Sequence, residues 1–166
     1  MATQKIEIKK SRLGGRGVFA KQRIKKGDAI AEFDGKIYGW HSKFWNNHLE
    51  NHCIQFEERK WRDSKGFAKL VNHSCNPNCG IKDLFKIVAI KTIEAGQELT
   101  LDYEMTEDCL WRMKCNCGSK NCRKTIGSFK NMPEKIRSKY EGYISEWLVK
   151  KYHLNQLAPR SPVLKG

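Results

Sequence analysis

The chain has 166 residues, enough for one domain with a buried core and a small appendage. No apolar run reaches the roughly eighteen residues of a membrane-spanning helix, and the N-terminus lacks a signal-peptide pattern, so we expect a soluble, intracellular protein without membrane contact. The formal net charge is +14, and residues 110–166 hold 13 Lys and Arg against 3 Asp and Glu. This surplus suits non-specific contact of the C-terminal third with nucleic acid, and it suits a solvated surface equally well.

The first hundred residues combine short apolar runs with glycine-bearing turns, a pattern that predicts short strands. The runs are KIEIK, GVFA, AIAEFDGKIY, CIQFEE, LFKIVAIKTI and ELTLDY. IKKGDAI and IEAGQEL share one form, and we interpret them as paired turns. We interpret residues 39–52 as containing a helical turn and residues 58–66 as a loop.

The pattern changes after residue 130, where apolar residues recur at helical spacing. It predicts one amphipathic helix that packs on the β-rich body; a partner-binding helix is the alternative. Asn131 and Glu134 have the spacing of a capping box, and Pro133 suits a first turn. The expected apolar stripe comprises Ile136, Tyr140, Tyr143, Ile144, Trp147, Leu148 and Tyr152. The tail LAPRSPVLKG is expected to be a loose end.

The chain has seven cysteines, and an odd number cannot all pair in disulfides within one chain. Because we also expect no export to an oxidising compartment, metal binding is favoured over disulfides. Cys115, Cys117 and Cys122 lie in CNCGSKNC, whose Gly118 lets three thiols face one point, which predicts a zinc site. A closed zinc site needs a fourth ligand. The sequence leaves it open among Cys75, Cys79, Cys109, His73 and Cys53, the last being more simply a buried thiol.

Three further segments concentrate unusual residues. Gly14, Gly15 and Gly17 in SRLGGRGVFA would let a ligand approach the backbone closely, although the residues of a phosphate-binding loop are absent. VNHSCNPNCG combines His73 with three asparagines, and GQELTLDYE ends a strand at Tyr103. Each segment alone has an ordinary structural explanation.

Taken together with CNCGSKNC, these segments resemble the SET-domain protein lysine methyltransferases in order and spacing, over residues 5–128. The similarity is to the compact stand-alone members of bacteria, archaea and viruses. It implies a mostly β, β-clip-like SET fold of several small sheets with a knot-like threaded segment, a short zinc-bound post-SET segment and a C-terminal helix. The implied divisions are a SET domain at 1–108, a post-SET zinc-binding segment at 109–128, and a C-terminal helical extension with a loose tail at 129–166.

The resemblance also implies a site. S-adenosylmethionine would be the methyl donor and Zn²⁺ a structural ion. Tyr103 would be catalytic, and Cys75 would be the fourth zinc ligand beside Cys115, Cys117 and Cys122, which leaves Cys79 and Cys109 spare. The expected cofactor contacts are Gly15, Arg16, Gly17, Asn72, His73 and Tyr103.

The implied reaction is methyl transfer to a lysine amine of a basic protein: a histone tail, or a nucleoid or ribosomal protein. The implied place is the cytoplasm or nucleoid of a microbe, or nuclear chromatin, including that of a host. We hypothesise that part of an acidic group faces the incoming basic peptide: Asp102, Glu104, Glu107 and Asp108. Leu101 and Gly80-Ile81 stand where the family often carries aromatic residues, which favours a roomier site that accepts more than one methyl.

Two alternatives remain at this point. One is a catalytically weak SET-like zinc module that binds a chromatin or nucleoid partner. The other is a basic nucleic-acid-binding zinc protein, which would leave NHSCNPN and ELTLDY unexplained.

Overall fold

The computed structural model describes residues 5–43 and 53–154. In these ranges the chain forms short strands, 3₁₀ turns and two short helices, which confirms the mostly β prediction. The strands are β1 (Ile6–Lys10), β2 (Arg16–Ala20), β3 (Ala29–Glu32), β4 (Ile37–Gly39), β5 (Ile54–Glu57), β6 (Lys60–Arg62), β7 (Asn72–His73), β8 (Cys79–Lys82), β9 (Lys86–Ala89), β10 (Thr100–Leu101), β11 (Met113–Lys114) and β12 (Thr125–Ile126). The 3₁₀ turns are Ala68–Leu70, Tyr103–Met105 and Phe129–Asn131, and the helices are α1 (Glu134–Lys139) and α2 (Glu146–Lys151).

The described strands form several small sheets. Two have three antiparallel strands, in the orders β3-β9-β8 and β4-β6-β5, and the antiparallel pairs are β1-β2 and β11-β12. β-branched side chains that suit a pleated surface fill the core, among them Val18, Ile30, Ile81 and Ile87. The core therefore lies against the sheet of β3, β9 and β8.

The parallel pair of β7 and β10 positions the site. Asn72 is opposite Thr100, and His73 is opposite Leu101. Because parallel strands run in the same direction, the residues that follow each strand emerge side by side. Asn78 stabilises this arrangement: its side chain donates to the carbonyl of Glu98 at 2.8 Å and accepts from the Thr100 N–H at 2.8 Å.

The two similar turns pair directly with each other. Ile24 and Ile93 exchange both backbone hydrogen bonds at 2.9 Å. Gly27 and Gly96 have φ of +91° and +84°, a backbone conformation that glycine adopts without strain. The interpretation as paired turns is confirmed.

The loop predicted over residues 58–66 is wrong in part. β6 lies there as the central strand of its sheet, with Trp61 buried. The three residues of β6 are too few, and too close to charged residues, to show a strand pattern in the sequence. They form a strand because they pair with β4 on one side and β5 on the other. The helical turn predicted within residues 39–52 lies mainly outside the described residues.

The C-terminal part is helical, but two helices replace the single one predicted. Gly142, with φ of +75°, lies in the turn between α1 and α2. The predicted capping box is also wrong, because Asn131 closes a 3₁₀ turn and α1 begins directly after Pro133. The apolar stripe packs as predicted, with Tyr140 and Trp147 in the core. No helix among the described residues is long and apolar enough to cross a membrane.

Candidate active site and metal centre

Four thiols converge next to the parallel strand pair. The Sγ atoms of Cys75, Cys115, Cys117 and Cys122 all lie within 4.8 Å of one another. The Cys75 and Cys115 sulfurs are 3.8 Å apart. This matches the distance between two sulfurs that bind one zinc ion tetrahedrally with Zn–S bonds of about 2.3 Å. The structure thus brings the four predicted ligands together, in an arrangement that fits a structural zinc ion.

Backbone donors surround these sulfurs. The Arg123 N–H points at Cys75 Sγ at 3.4 Å, and the Cys75 N–H points at Cys117 Sγ at 3.5 Å. Burial opposes ionisation of Cys117, but hydrogen bonds from Ser119 and from the Cys75 N–H lower its pKa to about 6. At Cys75 burial outweighs the Arg123 donor and raises the thiol pKa. Donors to sulfur nevertheless stabilise a thiolate once it forms, and the thiolate is the form in which cysteine binds a metal.

Tyr103 begins the 3₁₀ turn that follows β10. Its hydroxyl donates a hydrogen bond to the carbonyl of Val71 at 3.1 Å, and its ring packs against the His73 ring with centroids 5.3 Å apart and planes inclined by 63°. Burial, reinforced by the negative charge of Glu98, raises the pKa of Tyr103 to about 12. The phenol therefore stays protonated at neutral pH and acts as a hydrogen-bond donor.

His73 connects the tyrosine with the thiol cluster. Its Nδ1 accepts from the Tyr103 N–H at 3.3 Å, and its Nε2 lies 3.4 Å from Cys75 Sγ. Burial lowers the pKa of His73 to about 4, so the ring is neutral. With Nδ1 accepting, Nε2 carries the hydrogen and donates to the sulfur. The side chain of this predicted cofactor residue is thus occupied by internal contacts.

The glycine segment lies against Asn72. The Asn72 amide donates to the carbonyl of Arg16 at 3.1 Å and to Glu98 Oε1 at 2.8 Å. A Cβ on Gly17 would lie 2.2 Å from that same carboxylate oxygen, so a larger residue there would displace the Glu98 side chain from Asn72. A Cβ on Gly15 would meet nothing within 4 Å, which leaves an open face beside the loop. The structure thus brings the glycine segment and Asn72, both predicted to contact a cofactor, into direct contact.

The acidic group beside Tyr103 does not support the peptide-facing hypothesis. Asp102 and Glu104 are buried and pair with Arg123. Glu107 accepts from the Gln55 N–H at 2.9 Å and from the Trp61 indole at 3.2 Å. Asp108 accepts from Ser128, and from Tyr152 and Lys151 at 2.9 Å each. The four carboxylates bind parts of this chain, so the hypothesis is wrong.

Sequence reasoning missed two residues of this site. Glu98 begins the predicted strand ELTLDY and was treated only as part of that strand. A charged residue in the segment that leads to Tyr103 could have indicated a polar partner within the site. Arg123 was counted with the basic surface. Two carboxylates flanking Tyr103 in an apolar stretch require a cation if they are buried, and Arg123 directly follows the last cysteine of the cluster.

Comparison with known proteins gives the family. The SET domain model matches residues 15–104, more than half of the chain. The protein therefore belongs to the SET-domain family. Its relatives include histone-lysine methyltransferases, so membership supports lysine methyl transfer at the level of the family.

Individual relatives are similar over most of this chain. It is 30% identical over 151 residues to Histone-lysine N-methyltransferase 2B of Homo sapiens, covering 73% of this chain and 5% of that protein. It is 31% identical over 147 residues to Histone-lysine N-methyltransferase ASHR3 of Arabidopsis thaliana, covering 78% and 29%. It is 30% identical over 137 residues to Histone-lysine N-methyltransferase trr of Drosophila melanogaster, covering 72% and 6%. The chain thus spans less than a third of each of these relatives.

Proposed function

We propose that this protein is a protein-lysine N-methyltransferase that transfers a methyl group from S-adenosylmethionine to a lysine of a basic protein. One observation carries the proposal: the segment 71–75 contacts every part of the predicted site. Val71 accepts the Tyr103 hydroxyl, Asn72 binds the glycine segment, and Cys75 joins the thiol cluster. The residues predicted for catalysis, cofactor binding and metal binding therefore meet at one short segment.

The bound cofactor supplies an electrophilic methyl on a sulfonium, so the chain's own residues must align an amine with it and exclude water. A lysine side chain has an unperturbed pKa of about 10.4 and must lose its proton before it attacks. Tyr103, with its raised pKa, is a poor base at neutral pH, and its role is to orient the reacting groups through its hydroxyl. Desolvation beside the buried strand pair favours the neutral amine.

The proposed cofactor contacts are backbone atoms of Gly15, Arg16 and Gly17, with Asn72, His73 and Tyr103 on the opposite side. The proximity of Asn72 to the glycine segment supports this assignment. Because the His73 side chain is directed to Cys75 and Tyr103, we assign its contribution to the backbone. The four thiols would hold one Zn²⁺ that folds the segment 109–128.

The proposed divisions are the SET domain at 1–108, the post-SET segment at 109–128 and the extension at 129–166. The substrate would be a histone tail, or a nucleoid or ribosomal protein, each of which is found with nucleic acid. Exposed basic residues of the last two divisions support non-specific contact with that polyanion. They include Arg112, Lys114, Lys120, Lys124, Lys130, Lys135, Lys139 and Lys150. The enzyme would then work at chromatin or at a nucleoid.

The test is methyl transfer from radiolabelled S-adenosylmethionine to core histones and to basic nucleoid and ribosomal proteins. The native chain is compared with Tyr103→Phe, and Tyr38→Phe on β4 is the matched control. Label on lysine that is lost only with the Tyr103 hydroxyl supports the enzyme and names its substrate. Cofactor binding by calorimetry without label on any protein would favour the zinc-containing binding module instead.

A further inference from the structure

Arg123 forms a bidentate ion pair with a buried carboxylate beside the site. Its two terminal nitrogens each donate to one oxygen of Asp102 at 2.7 Å, and one of them lies 3.2 Å from Glu104 Oε2. The Asp102 side chain is fully buried, and that of Arg123 is 14% exposed. A two-pronged contact of this kind fixes geometry as well as charge, because the planar guanidinium matches the carboxylate.

The two partners of Arg123 flank Tyr103 in the chain. Asp102 Oδ1 accepts from the Glu104 N–H at 3.2 Å and so caps the 3₁₀ turn that Tyr103 begins. Glu104 Oε1 accepts from the Gly127 N–H at 2.7 Å, just beyond β12. The guanidinium therefore holds both ends of the short segment that presents the Tyr103 hydroxyl.

The backbone of Arg123 belongs to the thiol cluster. Arg123 follows Cys122, and its N–H points at Cys75 Sγ. The side chain and the main chain of one residue thus connect the cluster to the tyrosine turn. Displacement of the guanidinium would leave two buried carboxylates without their cation, which is strongly unfavourable.

We propose that Arg123 is a positioning residue for methyl transfer, which holds the Tyr103 turn in place only while the thiol cluster is closed. Metal occupancy of the cluster then governs the alignment of the tyrosine hydroxyl. This inference rests on the proposed function for its catalytic consequence, but its structural part is measurable without any turnover.

The test compares Arg123→Gln and Arg123→Lys with Lys26→Gln, an exposed control that removes the same charge away from the site. Zinc content is measured by metal analysis, and amide hydrogen exchange of residues 103–107 by mass spectrometry, with and without a chelator. The reporting amides are those of Met105 and Thr106, which donate to the carbonyls of Asp102 and Tyr103. Exchange reports local opening of this turn.

In the native protein, a chelator should speed exchange of this segment by about tenfold or more. Arg123→Gln should show similarly fast exchange with zinc still bound. Arg123→Lys should exchange at an intermediate rate, because lysine keeps the positive charge but cannot make the bidentate contact with Asp102. With a methylated substrate in hand, kcat of Arg123→Gln should fall about tenfold or more while the KM for the cofactor changes less than about twofold. Lys26→Gln should match the native protein throughout.

Arg123→Gln with bound zinc, native exchange and native kcat would overturn the proposal. If Arg123→Gln loses zinc, the proposal is tested with Asp102→Asn instead. This change weakens the Arg123–Asp102 ion pair from outside the cysteine segment. Native exchange in zinc-loaded Asp102→Asn would likewise overturn it. If no protein accepts methyl from the native chain, the proposed function fails. The exchange measurement still tests whether Arg123 couples the thiol cluster to the Tyr103 turn, because it needs no methyl transfer.

Discussion

The Tyr103 hydroxyl hydrogen-bonds the carbonyl oxygen of Val71 at 3.1 Å, which joins the turn after β10 to the residue that precedes β7. In Tyr103→Phe this one bond is lost while the ring keeps its place. Unfolding free energy should fall by only about 1 kcal/mol, whereas methyl transfer should fall by about a hundredfold or more. Urea unfolding and labelled transfer measured on one preparation check this. A loss of stability large enough to account for the lost activity would contradict the orienting role.

The second prediction concerns the thiol cluster. Metal analysis after gel filtration should find about one zinc per chain, and Cys75→Ser should release it. Cys79→Ser and Cys109→Ser are controls, because neither sulfur belongs to the group of four within 4.8 Å. Retention of zinc in Cys75→Ser, with its loss in either control, would show that the ligand set is different.

A third prediction concerns Glu98, which accepts from Ser11 Oγ at 2.7 Å and from the Asn72 amide at 2.8 Å. The carboxylate holds Asn72 against the glycine segment, so Glu98→Gln should weaken binding of S-adenosylmethionine by about tenfold, through one charge-assisted hydrogen bond lost. Calorimetry measures the Kd, with Glu94→Gln as the exposed control. An unchanged Kd in Glu98→Gln would mean that the cofactor does not depend on this arrangement.

A fourth prediction concerns pH. Burial raises the pKa of Glu107 from 4.5 to about 7, against opposing hydrogen bonds from Gln55 and Trp61. The folded state therefore binds this proton more tightly than the unfolded chain, and this group's contribution to stability declines as pH rises from about 4.5 to 7. Glu107→Gln should remove that decline, which amounts to at most about 3 kcal/mol.

Urea unfolding at pH 5, 6, 7 and 8 measures this difference, with the exposed Glu141→Gln as the control. Parallel pH curves for Glu107→Gln and the native protein would show that the Glu107 carboxylate is ionised throughout the range.

The sequence predicted which residues lie close together better than it predicted their hydrogen-bond and ion-pair partners. Tyr103, Asn72 and the cysteines lie in short motifs whose residue types and order carry the information locally. The role of Asp102 could not be predicted in this way, because its partner Arg123 is 21 residues away and looks like surface charge until the chain is folded. The break between α1 and α2 was missed for a related reason: apolar spacing continues across Gly142, and only its positive φ ends the helical path.

The same limitation applies to β6, whose order comes from strands on both sides. Pairing between distant segments decides such elements, and a window of a few residues does not contain it. Glu107 and Asp108 were expected to face a basic peptide because the sequence shows their charge. It does not show which groups of the folded chain donate hydrogen bonds to them.

The last consequence concerns the edge of the β3-β9-β8 sheet. β8 is its outer strand, and the Ile81 N–H donates to the Tyr143 carbonyl at 2.8 Å, so the turn between α1 and α2 caps that strand. A Cβ on Gly80 would lie 2.6 Å from the Tyr143 Cβ, which shows how closely the two segments approach. A shortened protein ending at residue 128 would expose an unpaired strand and the apolar surface that Trp147 and Leu148 cover. Truncation to the motif-bearing part would therefore yield an aggregation-prone protein, even with its catalytic and metal-binding residues intact.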